Sequence, residues 1–273
     1  ESILIPLAES PSFSGITAIR LLAKHQLGGG KGGGALASGL AEKLASHPLR
    51  SANDALLIAS LRIQENPAIK QSVIEELRRL RVDGTPDEDL EFARWLNQQK
   101  AFQQAVDFIS KDRAMSASPW LLIYLDAMAS LNRWQEIFVL LETESVVGMS
   151  DTLRSLFLAR SAEKSGNQER AGECWRDMHR NLVYEKPEVA FFVAAYIMKM
   201  GNGNEGIKAF WALARRQDTA IQGFLGLIRF FPKNASATEL LPVYSEMLET
   251  FPNIKEVRLD YSYLCLLAEH NVS

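Results

Sequence analysis

Leu158-Ala159-Arg160-Ser161-Ala162-Glu163-Lys164-Ser165-Gly166-Asn167-Gln168-Glu169-Arg170-Ala171-Gly172-Glu173-Cys174-Trp175 is the stretch on which the reading of this chain turns. Two runs of good helix formers flank Ser165-Gly166-Asn167. Ser165-Gly166-Asn167 reads as the short turn between them. Ala159 stands before the turn and Ala171 twelve residues later. A small residue on each of two antiparallel helices lets their backbones approach closely, while the residue at the turn fills the wedge between them. The stretch therefore predicts a helix, a tight turn and a returning helix.

The same frame extends in both directions. Ala93, Leu125, Ala159 and Ala194 open four copies of it, and Ala105, Ile137, Ala171 and Gly206 follow twelve residues on, stepping by 32, 34 and 35. Nine residues after the first set come Phe102, Trp134, Gln168 and Gly203. Phe102 and Trp134 are expected as core wedges. Apolar residues elsewhere recur at three and four, as in Phe92, Trp95 and Leu96, in Leu121, Leu122, Leu125 and Met128, and in Phe191, Phe192, Ala195 and Met198. Almost nothing alternates with period two, so strands have little support. Asn66-Pro67, Thr85-Pro86 and Ser118-Pro119 each put a capping residue before a proline at the first helical position, where the missing N–H costs nothing. The expected pairs are 14–27 with 35–46, 51–65 with 67–81, 86–99 with 101–111 and 117–131 with 133–142. Then follow 150–165 with 167–182, 186–200 with 203–216, 218–231 with 236–251, and a single helix over 253–270. That is an all-α chain of about seven and a half pairs at about 34 residues each, with 1–13 as a lead-in and 14–273 as one repeat domain.

These spacings resemble the tetratricopeptide repeat family, whose pattern is a small residue in the first helix and Ala or Gly twelve on. Residues 158–175 are the best copy, and Ala194 to Phe210 with Met200-Gly201-Asn202 the second best. The likeness is degenerate: Leu125 and Ile137 replace small residues, and Gln168 and Gly203 replace the aromatic. It implies a right-handed superhelical solenoid whose first helices line a concave groove that receives a peptide or protein. The corresponding wall positions are Arg94, Asn97, Gln98, Asp126, Arg160, Glu163, Lys164, Met198, Lys199, Phe230 and Phe231. Arg94 and Arg160 are expected to meet carboxylates of a partner, and Phe230 and Phe231 an apolar side chain. The two-Lys, two-Asn clamp that some members use for a partner's C-terminal carboxylate has no counterpart, because Leu90 and Arg94, Leu156 and Arg160, or Phe191 and Ala195 occupy its positions.

Composition narrows the function classes. Of 273 residues 47% are hydrophobic, and 30 Lys and Arg face 33 Asp and Glu, for a formal charge of −3. Nucleic-acid binders and anionic-membrane binders reward a positive surplus, so no nucleic-acid partner is expected. The alternative kept open is an RNA-binding helical-repeat protein, since the pentatricopeptide family has a similar period, or a recruiting module of an enzyme whose catalytic part lies outside this segment. No run approaches the roughly 18–20 apolar residues of a membrane span. His25, His47, His179 and His270 are scattered, and Cys174 and Cys265 lie among apolar neighbours. Neither set has metal-ligand spacing, so no metal, cofactor or catalytic residue is expected. Asp87-Glu88-Asp89 reads as the acidic first turn of a helix, and Arg78, Arg79 and Arg81 as a solvated face offset by Glu75 and Glu76.

Six of the 17 glycines fall in Gly28-Gly29-Gly30-Lys31-Gly32-Gly33-Gly34. Lys31 is followed by glycine rather than Ser or Thr, so the run does not make a phosphate loop. It reads as a flexible hairpin connection or an inserted linker, with Ala23 and Ala35 as the small residues of its pair. Asn234-Ala235-Ser236 and Asn271-Val272-Ser273 match the glycosylation pattern by chance. Leu259, Tyr263, Leu266 and Leu267 put an apolar stripe on the unpaired last helix, and the chain starts at Glu1; it is expected to be part of a longer protein. The expected function is that of a non-enzymatic scaffold for a protein or peptide partner.

Overall fold

A computed structural model describes residues 3–29, 34–51, 54–81, 84–144, 147–230 and 235–270. Residues 30–33, Phe231, Asn234 and residues 271–273 lie outside the described residues, as do the side chains of Ala35 and His270. Among the described residues there are seventeen α-helices, one 3-10 turn and no strand. The chain is all-α.

The chain divides into two compact units, Glu1–Arg133 and Trp134–Ser273. The first holds α1 (Leu4–Leu7), α2 (Phe13–Leu27), α3 (Gly34–Ser46), α4 (Asp54–Glu65), a 3-10 turn (Pro67–Ile69), α5 (Lys70–Arg79), α6 (Pro86–Gln98), α7 (Phe102–Phe108), α8 (Lys111–Ser116) and α9 (Ser118–Ser130). The second holds α10 (Trp134–Thr143), α11 (Asp151–Lys164), α12 (Gln168–Leu182), α13 (Pro187–Lys199), α14 (Gly203–Ala214), α15 (Ala220–Phe230), α16 (Ala237–Thr250) and α17 (Lys255–His270). Helices pack mostly in chain order within each unit. Alternate helices also touch, as α2 with α4, α11 with α13, α12 with α14 and α13 with α15, and α6 touches α9 across the short α7 and α8. Side-chain bonds cross from one repeat to the next at about one period: Arg20 to Asp54, Trp95 to Ser60, Gln104 to Gln71, and Arg216 to the carbonyl of Leu182.

The eight frame residues are all buried. Ala93, Leu125, Ala159 and Ala194 are sealed in the interior, and so are Ala105, Ile137, Ala171 and Gly206. At Gly206 an added Cβ would run into the Met198 side chain, which would have to shift. The turns repeat as well. Lys100, Asn132, Gly166 and Gly201 have φ of 55°, 58°, 82° and 81°, and their numbers step by the same 32, 34 and 35. After each one, the next amide bonds back across the turn. Ala101 donates to Leu96 O (2.8 Å), Arg133 to Met128 O (3.0 Å), Asn167 to Ala162 O (2.9 Å) and Asn202 to Ile197 O (3.3 Å). A left-handed residue followed by this six-to-one bond is the Schellman ending, which satisfies carbonyls that the helix leaves open. Gly29 (φ 84°) takes the same conformation where the glycine run begins.

Several boundaries differ from the sequence expectation, each for a local reason. The helix expected over 101–111 stops at Phe108, because Ile109 is extended and the Ser110 hydroxyl accepts the Arg113 amide to start α8. Arg113 then pairs with Asp89 at 2.7 Å and lies 4.0 Å over the Trp120 ring. Asp89 is thus a tertiary anchor, while Glu88 closes a capping box with Thr85. The stretch 67–81 opens as a 3-10 turn capped by Asn66. Within the expected lead-in, Leu4–Leu7 makes a helical turn whose Leu4 packs against the core cluster that includes Ile16, Ile19 and Leu22. In α13 the buried face is Ala190, Val193, Ala194 and Ile197, while Phe191 and Phe192 face outward. Phe102 and Trp134 are half-buried rather than core; the buried tryptophans are Trp95, Trp120 and Trp175.

Candidate functional site

Within the first unit, α2, α4 and α6 surround a cavity of about 550 Å³. This is within the roughly 300–1,000 Å³ of ligand pockets. Arg20, Lys24 and Leu27 come from α2, and Glu91, Trp95 and Gln98 from α6; each set is spaced i, i+4, i+7, one face of a helix. Asp54, Leu56, Leu57 and Ser60 of α4 complete the lining with Ser51 just before it. Each of these three is the first helix of its expected pair.

The lining's polar groups are largely fixed by one another. Arg20 grips Asp54 with Nε to Oδ1 at 2.7 Å and Nη2 to Oδ2 at 2.8 Å, and its Nη2 also reaches the Ser51 hydroxyl. Asp54, whose side chain is 5% exposed, further accepts the Ser51 amide and hydroxyl at 2.7 and 2.9 Å. Burial pushes the Asp54 carboxyl up, but these donors outweigh it and hold it at about 2. The Trp95 indole donates to the Ser60 hydroxyl at 2.8 Å, which fixes the ring against the lining. Glu91 pairs with Arg94 at 2.6 Å. Lys24 is exposed and has no ion pair among the described residues.

A second cavity of about 440 Å³ lies among α3, α4 and α5, lined by Ala55, Ile58, Val73, Leu77 and Leu80. Its arginines are engaged: Arg50 donates to Ala45 O at 3.1 Å and Arg62 to Glu76 at 3.3 Å.

The wall residues named from sequence sort into separate roles. Gln98 lines the first cavity and Arg94 braces Glu91 beside it. Asn97 donates to Ile123 O at 2.9 Å and faces Asp126 at 3.5 Å, tying α6 to α9. In the second unit Arg160 donates to Glu163 at 3.0 Å and to Met200 O at 2.9 Å. Glu163 also accepts the Trp175 indole at 2.7 Å and the Asn202 amide at 3.1 Å. Met198 fills the space over Gly206. Lys164 and Lys199 are exposed. Phe230 stacks on Phe210, with ring centroids 5.4 Å apart. Phe231 lies outside the described residues. The cavity's Arg20, Lys24, Leu27 and Asp54 were not named, yet offsets of one and four from Ala23 lead straight to Lys24 and Leu27.

Cys174 is buried and its thiol is pushed up by burial. Among the described residues no cluster of three or more His, Cys, Asp or Glu could hold a metal ion, and no helix is long and apolar enough to cross a membrane. Comparison of the chain with protein-family models, with curated proteins and with solved structures finds no match.

Proposed function

We propose that this chain is a non-enzymatic, tetratricopeptide-like scaffold that binds a peptide or protein segment along the first-helix wall of a helical-repeat solenoid. The observation that carries the reading is the cavity among α2, α4 and α6, whose lining, among the described residues, comes from first helices and from Ser51 just before one of them. In a stack of helical pairs the first helices line one side, so a recess at that side is where an extended segment would be received. The recurring buried frame and the repeated Schellman turns support the family resemblance.

Selection of a displayed random-peptide library on the intact chain tests this. The expected outcome is a set of enriched peptides that compete with one another and slow amide exchange in α2, α4 and α6. An empty selection overturns the reading, and so does salt-sensitive submicromolar binding of single-stranded RNA, which would make the chain a nucleic-acid binder.

A further inference from the structure

Resting on that reading, we infer that the α2–α4–α6 cavity is a pocket for an acidic, aliphatic peptide segment, with Lys24 meeting a carboxylate and Leu27, Leu56 and Leu57 taking the neighbouring aliphatic side chain. The charges in the lining lead to this choice. It holds two cations, Arg20 and Lys24, and two anions, Asp54 and Glu91. Asp54 is consumed by Arg20 in a two-pronged pair, and Glu91 by Arg94, which stands outside the lining. What the cavity still offers an incoming group is therefore the Lys24 ammonium. The Gln98 side-chain amide lies in the lining with it.

Apart from Ser51 and Ser60, the rest of the lining is apolar. Leu27 and Leu57 lie in the lining near Trp95, whose ring is held in place by its bond to Ser60. An exposed cation beside a recess walled by leucine and tryptophan complements a ligand with the opposite order, a carboxylate next to an aliphatic group. A basic segment would bring its charge against Lys24 and find both carboxylates already occupied. Specificity then comes from repulsion as well as attraction. Because Arg20 and Asp54 join α2 to α4 across one repeat, the pocket is held open before a ligand arrives, which lowers the ordering cost of binding.

The test uses two fluorescein-labelled hexapeptides, Asp-Leu-Glu-Leu-Asp-Leu and Lys-Leu-Lys-Leu-Lys-Leu, with the intact chain. Anisotropy reports binding, and the Trp95 indole N–H resonance, assigned with Trp95→Phe, reports the place. The acidic peptide is expected to bind at least tenfold more tightly than the basic one, to shift the Trp95 resonance, and to weaken with added salt. Lys24→Glu, at an exposed position that leaves the fold intact, is expected to remove that preference, and Leu57→Asp to weaken both peptides. Equal binding of the two peptides, no binding of the acidic one, or indifference to Lys24→Glu overturns the inference. If displayed peptides are enriched but neither move the Trp95 resonance nor respond to Lys24→Glu, the pocket assignment fails while the scaffold reading stands. An empty selection removes the scaffold reading itself.

Discussion

The same frame positions are open on α2 of the first unit and cross-linked on α11 of the second. One and four residues after Ala23 stand Lys24 and Leu27, which line a cavity. One and four residues after Ala159 stand Arg160 and Glu163, which are tied to the turn before α14 through Met200 O and Asn202. The offset from the buried alanine states which face of the helix looks toward the wall. It does not state whether that face is vacant. Vacancy depends on whether a neighbouring turn carries a group able to reach across, as Asn202 does. Beside α2, the clip between Arg20 and Asp54 holds the helices together from the edge of the recess.

The largest effect is expected where the wall is cross-linked. Glu163→Leu would leave the Trp175 indole N–H and the Asn202 amide without their acceptor, and would deprive Arg160, whose side chain is only 15% exposed, of its carboxylate. Breaking a partly buried pair of this kind costs about 3 kcal/mol. Lys24→Leu, at the open equivalent, is expected to change stability by less than about 0.5 kcal/mol. Urea unfolding of both variants measures the contrast. Similar losses at the two positions would erase the distinction between an open and a cross-linked wall.

Next in size is the clip of the first unit. Its Asp54 carboxyl is held at about 2, below its ordinary 3.8. A lowered pKa means that the ionised form stabilises the fold, by about 2 kcal/mol at neutral pH. That contribution is complete above about pH 5 and is lost as the pH falls from 4 through 2. Asp54→Asn is therefore expected to be about 2 kcal/mol less stable than the natural chain at pH 7, with the gap closing towards pH 2. A constant gap across that range would show that packing rather than charge is what Asp54 supplies.

The helical pairs were legible because their signals are local. The small residues of the frame, the proline starts and the Ser-Gly-Asn turn each act within a few residues, and the eight frame positions are buried as spacing implies. In α13, Pro-Glu-Val-Ala-Phe-Phe-Val-Ala-Ala-Tyr-Ile-Met-Lys is apolar nearly all round, so periodicity had no contrast from which to pick a face. Packing chose the small residues, because close backbone approach excludes Phe191 and Phe192. The break at Ser110 was hidden for a different reason: its benefit lies in what Arg113 reaches at Asp89 and Trp120, 24 and 7 residues away along the chain. Lys24 and Leu27 were not singled out because the wall offsets start at Ala93, and Ala23 enters only as the small residue of the pair around the glycine run. The roles of Arg160 and Glu163 could not be seen in sequence, since their partners Met200 and Asn202 lie about 40 residues on.

The smallest expected effect concerns the turns, where the two units solve one problem with different residues. After α6 and α9 of the first unit the left-handed position is Lys100 and Asn132, and after α11 and α13 of the second it is Gly166 and Gly201. A side chain in this conformation crowds the following carbonyl, at a cost of about 1–2 kcal/mol, and asparagine tolerates it better than lysine. Glycine escapes that crowding but loses more freedom on folding, which returns part of the gain. Lys100→Gly is thus expected to stabilise the chain by about 0.5–1 kcal/mol, and Asn132→Gly by less. Gly166→Ala runs the opposite way. A Cβ built there meets nothing within 4 Å, so sterics beyond the backbone do not enter and the loss of about 1 kcal/mol is conformational. Chemical unfolding of Lys100→Gly and Gly166→Ala measures both signs. If Lys100→Gly destabilises, the lysine side chain is making a favourable contact at the turn, and the two units differ there in packing and not only in backbone strain.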